Sequence, residues 1–275
     1  MARPREFDRP RFLWVFGALA MGLMLLPLAF VVLYSFNSGE SLVRFAGFST
    51  RWYREALTDA DWHASLRTSI EIALVTTLAC AITGPLLALG LVRASRRVAR
   101  PTDATILLRL VSPETVTAVA SLLLFTKLGV TLSNTTIILA HIAVCLPFVT
   151  VVVRSRLVSL NPEVEESAMD LGATRLGALR LVVLPLLWPS IAASSLLCFV
   201  LSFDDFVTSV FTSGIGTSPL PVRIYSLLRF GVTPVVNAIG VLMFVLALIL
   251  LAGAALLLRA AQRRGQVVPQ AAADA

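Results

Sequence analysis

From Phe12 to Phe36 the chain reads FLWVFGALAMGLMLLPLAFVVLYSF, a run without one charged side chain. A helix needs roughly 20 consecutive apolar residues to cross a hydrocarbon core of ~30 Å, and this run exceeds that length. Four more uncharged runs of sufficient length follow, from Ile72 to Val92, Leu128 to Val153, Leu181 to Phe203 and Phe230 to Leu258. A sixth span, about Ile106 to Thr126, is apolar but interrupted by Arg109, Pro113 and Glu114. An isolated segment in lipid has to satisfy its backbone internally, so each run is read as a helix. The pattern predicts an all-α membrane protein with about six transmembrane helices.

Composition agrees with this reading. The 275 residues are 57% hydrophobic and 14% charged, with a mean hydropathy of +0.86. A soluble domain is nearer half apolar and a quarter charged. The basic residues orient the spans. With the N-terminus in the cytoplasm, the inner segments hold fifteen arginines, in groups around Arg3–Arg11, Arg93–Arg100, Arg154–Arg180 and Arg259–Arg264. The outer segments hold seven basic residues, namely Arg44, Arg51, Arg54, Arg67, Lys127, Arg223 and Arg229. That asymmetry predicts both termini cytoplasmic. The net charge of +7 is thereby a topology signal, and no basic face remains for nucleic acid. The first span is too long for the apolar part of a signal peptide and is expected to be retained.

The spans divide the chain into residues 1–64, holding the first helix and an outer segment, a five-helix bundle over 65–256, and a cytoplasmic tail over 257–275. Trp52, Tyr53 and Trp62 in the outer segment read as interfacial aromatics. The stretch Gln266–Ala275 reads as disordered. Cys80, Cys145 and Cys198 sit singly in apolar spans, where small packing residues are expected. No spacing suggests a metal site or disulfide framework, and no internal repeat supports an inverted-repeat transporter.

The connection between the fourth and fifth spans carries the most information. It reads Asn161-Pro-Glu-Val-Glu-Glu-Ser-Ala-Met-Asp-Leu-Gly172. Asn161 can cap a helix with Pro162 at its first position, and Glu163, Glu165 and Glu166 in the first turn favour its dipole. Val164, Ala168 and Leu171 form a narrow apolar face, and Gly172 can end the helix in the left-handed region. Thr174 can cap a second short helix, which Pro185 is expected to disrupt. The loop therefore encodes a helix-turn-helix outside the membrane with an apolar stripe left uncovered.

Glu166-Ser167-Ala168, then Gly172, then Val182, Leu184 and Pro185, resembles the Glu-Ala-Ala loop of ABC-importer permeases. The spacing matches throughout, with Ser167 in place of an alanine and Val182 in place of an isoleucine. The resemblance implies a type I ABC importer transmembrane fold in a bacterial inner membrane. It implies that Glu166, Ser167, Ala168, Gly172, Leu184 and Pro185 form the loop that docks on a cytoplasmic ATPase subunit. A second homologous permease subunit, two ATP-binding subunits and a periplasmic solute-binding protein are the implied partners. A narrower resemblance covers residues 70 to 258. Ser112-Pro113-Glu114, Leu146-Pro147-Phe148, Ser202-Phe203-Asp204-Asp205-Phe206, Leu220–Ser226 and Gly231–Ala238 are similar to the spermidine/putrescine branch, with Val235 where relatives often carry an acidic residue. The implied cargo is a small cation of the polyamine class.

Charges within a membrane are costly and usually functional. On an unbroken helix Glu114 stands ~15 Å up its span, near the midplane, and Asp204 roughly 22–27 Å up, in the outer third. Neighbours on a helix point about 100° apart, so one of Asp204 and Asp205 is expected to face a pathway. Capping of a new helical segment, or pairing with an arginine, is the structural alternative for that pair. His63 and His141 are solitary in sequence and carry no assigned role. A P-loop needs Gly-Lys-Ser/Thr, whereas Lys127, the single lysine, lies between Thr126 and Leu128. No cofactor or enzymatic chemistry is expected, and a stand-alone secondary transporter or channel is the alternative to an importer subunit.

Overall fold

The computed structural model describes residues 11–41, 44–161, 163–230 and 234–265, which are helical almost throughout. The helices are α1 (Arg11–Ser35), α2 (Arg51–Thr58), α3 (Ala60–Arg93), α4 (Arg96–Val111), α5 (Glu114–Lys127) and α6 (Asn134–Val158). They continue with α7 (Glu163–Asp170), α8 (Arg175–Ala178), α9 (Leu184–Asp204), α10 (Val207–Thr212), α11 (Leu220–Phe230) and α12 (Pro234–Gly265). Five helical stretches are long and apolar enough to cross a membrane, or six if the bent pair α4 and α5 counts as one span. Pro162 and the segment Gln266–Ala275 lie outside the described residues.

The chain divides into two units. The first comprises Met1–Ala60 with Ser226–Val245. Its α1 is apolar on every side, with Leu19 and Leu23 71% exposed, as suits a helix solvated by lipid. After α1 the backbone wraps around the buried side chain of Asn37. The Asn37 amide donates to the carbonyls of Ser41 and Arg44 and accepts the N–H groups of Gly39 and Ala46, so every one of its hydrogen-bonding positions is used. Trp52 Nε1 donates to the Asn37 carbonyl at 2.6 Å. Trp52 is therefore a structural anchor. Like Trp62 in the other unit, it is 5% exposed, which corrects the expectation that both face the interface.

The second unit comprises Asp61–Tyr225 with Leu246–Ala275. Its core is built where α3, α6 and α9 meet, from Cys80, Ala88, Leu89, Cys145, Val149, Val153, Leu187, Ile191 and Cys198. The three cysteines, solitary in sequence, converge in this one cluster as free thiols. Small residues allow the close approach: a Cβ on Gly84 of α3 would lie 2.6 Å from Val149 Cγ1 of α6.

Two breaks shape this unit. Ser112 and Pro113 are extended, with ψ of 136° and 137°, because a proline drives its predecessor out of the α region. The chain bends by 112° there. Glu114 thus opens a new helix, and its expected height along an unbroken span is corrected. The second break falls at Asp205, whose ψ of 104° ends α9 before α10 begins. Pro185, by contrast, does not disrupt its helix. Leu179–Val183 forms a π turn joining α8 to α9, with Leu184 N–H bonded to the Leu179 carbonyl. The widened turn makes room for a proline ring that would otherwise strike the carbonyl one turn earlier.

Candidate functional site

Two groups of residues singled out by the sequence are organised very differently. The first is the loop between α6 and α9. Asn161 Oδ1 accepts the Glu163 N–H at 3.2 Å, and three glutamates occupy the first turn of α7. At the other end Gly172 has a φ of +91°. Its N–H bonds the Met169 carbonyl at 2.9 Å and the Ala173 N–H bonds the Ala168 carbonyl at 3.1 Å. This is the paired Schellman pattern, which requires a left-handed residue at that point. Thr174 then caps α8 by accepting the Gly177 N–H at 3.1 Å.

The α7 helix folds back on α8 and the π turn, yet buries none of its residues. Glu166 and Ser167 are exposed, Ala168 is half-buried, and Leu171 is 90% exposed. Leu184 and Pro185 lie exposed just beyond the π turn. Arg93, in the last turn of α3, meets Glu165 Oε1 at 2.5 Å and tethers α7 to the bundle. A second ion pair, Arg154 with Asp103, joins α6 to α4.

The second group meets where the two helix breaks come together. The α10 helix packs along α5, so the element that follows Asp205 lies against the one that Glu114 opens. Asp205 is 7% exposed, whereas Asp204, the last residue of α9, is exposed. One of the adjacent aspartates thus turns inward and the other outward. Asp205 also caps the next segment, its Oδ1 accepting the Thr208 N–H at 2.7 Å. The capping expectation is thus met at Asp205.

His141 is the residue that sequence left without a role. It is 1% exposed on α6. Its Nδ1 lies 2.8 Å from Ser202 Oγ and its Nε2 lies 3.1 Å from Ser209 Oγ. Asp205 Oδ2 is 3.6 Å from the same Nε2. A histidine in a run free of charged residues is the one signal the sequence offers. Thr136 adds a further link, donating to the Thr212 carbonyl at 2.8 Å and so joining α6 to the end of α10. At the start of α11, the Leu220 N–H donates to Ser69 Oγ at 2.8 Å, and Arg223 pairs with Asp61 at 2.9 Å. Gly231–Thr233 of the last sequence pattern lie outside the described residues. Among the described residues no cluster has the geometry of a metal site.

Long apolar helices, two of them broken beside carboxylates of which Asp205 is buried, and an uncovered helix-turn-helix define a membrane-embedded transport subunit. The chain belongs to the family of binding-protein-dependent transport system inner membrane components, whose model matches residues 81–264. It is a permease and has no enzymatic activity of its own. It is 39% identical over 238 residues to the putrescine transport system permease protein PotI of Escherichia coli K12, covering 83% of this chain and 85% of that one. It is 36% identical over 246 residues to the spermidine/putrescine permease protein PotC of Haemophilus influenzae, covering 90% and 94%. Among solved structures, a bacterial ABC transporter that imports the acidic polysaccharide alginate aligns with a TM-score of 0.72 at 16% identity, over 96% of this chain and 99% of that one. The methionine transporter MetNI aligns at 0.56 and 18%, over 74% and 99%. These likenesses establish the type I ABC importer fold.

Proposed function

We propose that the chain forms one half of the translocation pathway of an ABC importer for a small polyamine cation, spermidine or putrescine. The observation that carries this reading is the packing of α10, which follows the buried Asp205 at one helix break, along α5, which Glu114 opens at the other. The names of its relatives, putrescine and spermidine/putrescine permeases, point to the same cargo. An ammonium group entering a membrane gives up hydration and must find protein oxygens in exchange. Two facing carboxylates supply them, and attraction between opposite charges grows as the surroundings become less polar. Asp204, exposed and next to Asp205 in the chain, extends the acidic surface, so a flexible dication can hand its two ends along in turn.

The work is done elsewhere. The chain contains no nucleotide-binding loop, so a separate ATPase subunit has to drive it. The α7 helix is the docking element, with Leu171, Glu166 and Ser167 presented outward and Ala168 half-buried beside them. Gly172 fixes its angle, and α8, the π turn and α9 continue from it as one rod that ends at Asp204. Tilting of α7 by a closing ATPase dimer is thereby passed to the break at Asp205. The full assembly comprises two ATP-binding subunits, a second homologous permease and a periplasmic solute-binding protein. The termini of this chain lie in the cytoplasm and its outer helices lie against membrane lipid.

Reconstitution tests this reading. In proteoliposomes holding the full assembly, ATP should drive uptake of labelled putrescine, and spermidine should compete where the uncharged butanediol does not. ATP hydrolysis by the rigorously purified chain alone, or equal competition by the uncharged diol, would overturn it.

A further inference from the structure

Breaking a helix inside a membrane leaves backbone groups that only neighbouring protein can satisfy, and it leaves the two halves free to hinge. At the Asp205 break one side chain from another helix touches both halves. Ser202 lies in the last turn of α9 and Ser209 lies in α10, and both hydroxyls bond the single imidazole of His141 on α6. A neutral imidazole carries one donor and one acceptor on opposite edges of a rigid ring, a combination no other side chain offers. The Asp205 carboxylate, 3.6 Å from Nε2, favours the proton on that nitrogen. Nε2–H therefore donates to Ser209 Oγ, and Nδ1 accepts the Ser202 hydroxyl. At 3.6 Å the aspartate is too far to hydrogen-bond the imidazole itself, so it is left for the side of α5, along which α10 packs and which Glu114 opens.

We propose that His141 is a positioning residue that pins α9 to α10 across their break and so holds the Asp205 carboxylate toward Glu114. This rests on the reading of Asp205 as part of the cation route. Burial of all the partners supports it: Ser202 is 4% exposed, Ser209 1% and Asp205 7%. A histidine that merely filled space would need neither serine, and one that contacted cargo would need an open face, which a residue 1% exposed does not have.

The test uses the full assembly in proteoliposomes with labelled putrescine, and combines His141→Leu, His141→Gln, Ser202→Ala, Ser209→Ala and Asp205→Asn. His141→Leu should lower the maximal uptake rate about tenfold with KM nearly unchanged, because delivery to the permease is untouched and translocation is slowed. His141→Gln places donor and acceptor on one flexible end, so it should hold one serine at a time and recover part of the rate. The decisive comparison is a double-mutant cycle with Asp205→Asn. If His141 acts through Asp205, the double variant transports no more slowly than Asp205→Asn alone. Multiplied losses would mean that His141 acts independently, and would overturn the proposal. Full activity of His141→Leu beside an impaired Asp205→Asn would overturn it while leaving the cation route standing. Full activity of Asp205→Asn would remove both. Should His141→Leu fail to assemble, the two serine variants carry the same cycle, each expected to lower the rate and to show no added loss with Asp205→Asn.

Discussion

Arg93 closes the long α3 helix and places its guanidinium 2.5 Å from Glu165 on α7, seventy-two residues later in the chain. The two side chains are 49% and 29% exposed, and pairs so placed contribute about 0–1 kcal/mol to stability. The contact matters for where α7 stands rather than for how firmly the bundle folds. Arg93→Ala should leave the melting temperature nearly unchanged and lower putrescine uptake per ATP hydrolysed. The exchanged pair Arg93→Glu with Glu165→Arg should restore part of that ratio. A large loss of thermal stability, with no change in the ratio, would show the pair to be structural.

Gly172 poses a sharper demand. Its φ of +91° lies where a β-branched residue is strained by about 1–3 kcal/mol. Nothing lies within 4 Å of a Cβ built on it, so the strain is in the backbone and not in packing. Gly172→Val should leave membrane insertion intact and misdirect α7, reducing ATPase assembly or uptake. Glu166→Lys should act similarly by placing a positive charge in the first turn, against the helix dipole. Pull-down of the ATPase subunit and vesicle uptake measure both. Wild-type behaviour in both variants would mean that α7 is not the coupling element.

Gly84 offers a test of packing alone. Its absent Cβ makes room for Val149, and adding one would force contact at 2.6 Å. Gly84→Ala should destabilise the bundle by about 1–3 kcal/mol through overpacking between α3 and α6. Thermal unfolding of the solubilised chain reads this directly. A compensating Val149→Ala should recover most of the loss, and failure to recover would point to a backbone role for Gly84.

Local features of the loop could be read from sequence because each depends on neighbours a few residues away. Asn161 caps, Gly172 turns and Thr174 caps as their positions suggest. The uncharged runs likewise announce the spans they become. What could not be read depends on partners far along the chain or on a compensating distortion. His141 finds its serines sixty-one and sixty-eight residues away. Trp52 is withdrawn from the interface by a carbonyl fifteen residues earlier. The effect of Pro185 is absorbed by the π turn before it, whereas Pro113, preceded by an extended Ser112, bends the chain outright. Residue counting along a straight helix could not separate those two prolines, and so it misjudged the height of Glu114.

Isosteric neutralisation tests the carboxylates at the two helix breaks most directly. Glu114→Gln and Asp205→Asn preserve shape, so expression and assembly should be kept, while the exposed Asp204→Asn serves as the milder comparison. Uptake of labelled putrescine and spermidine is measured in proteoliposomes holding the complete assembly. The prediction is that Glu114→Gln or Asp205→Asn lowers uptake about tenfold or more, equivalent to roughly 1.4 kcal/mol in barrier height. Undiminished uptake in both fully assembled variants would contradict the acidic route and the polyamine reading built on it.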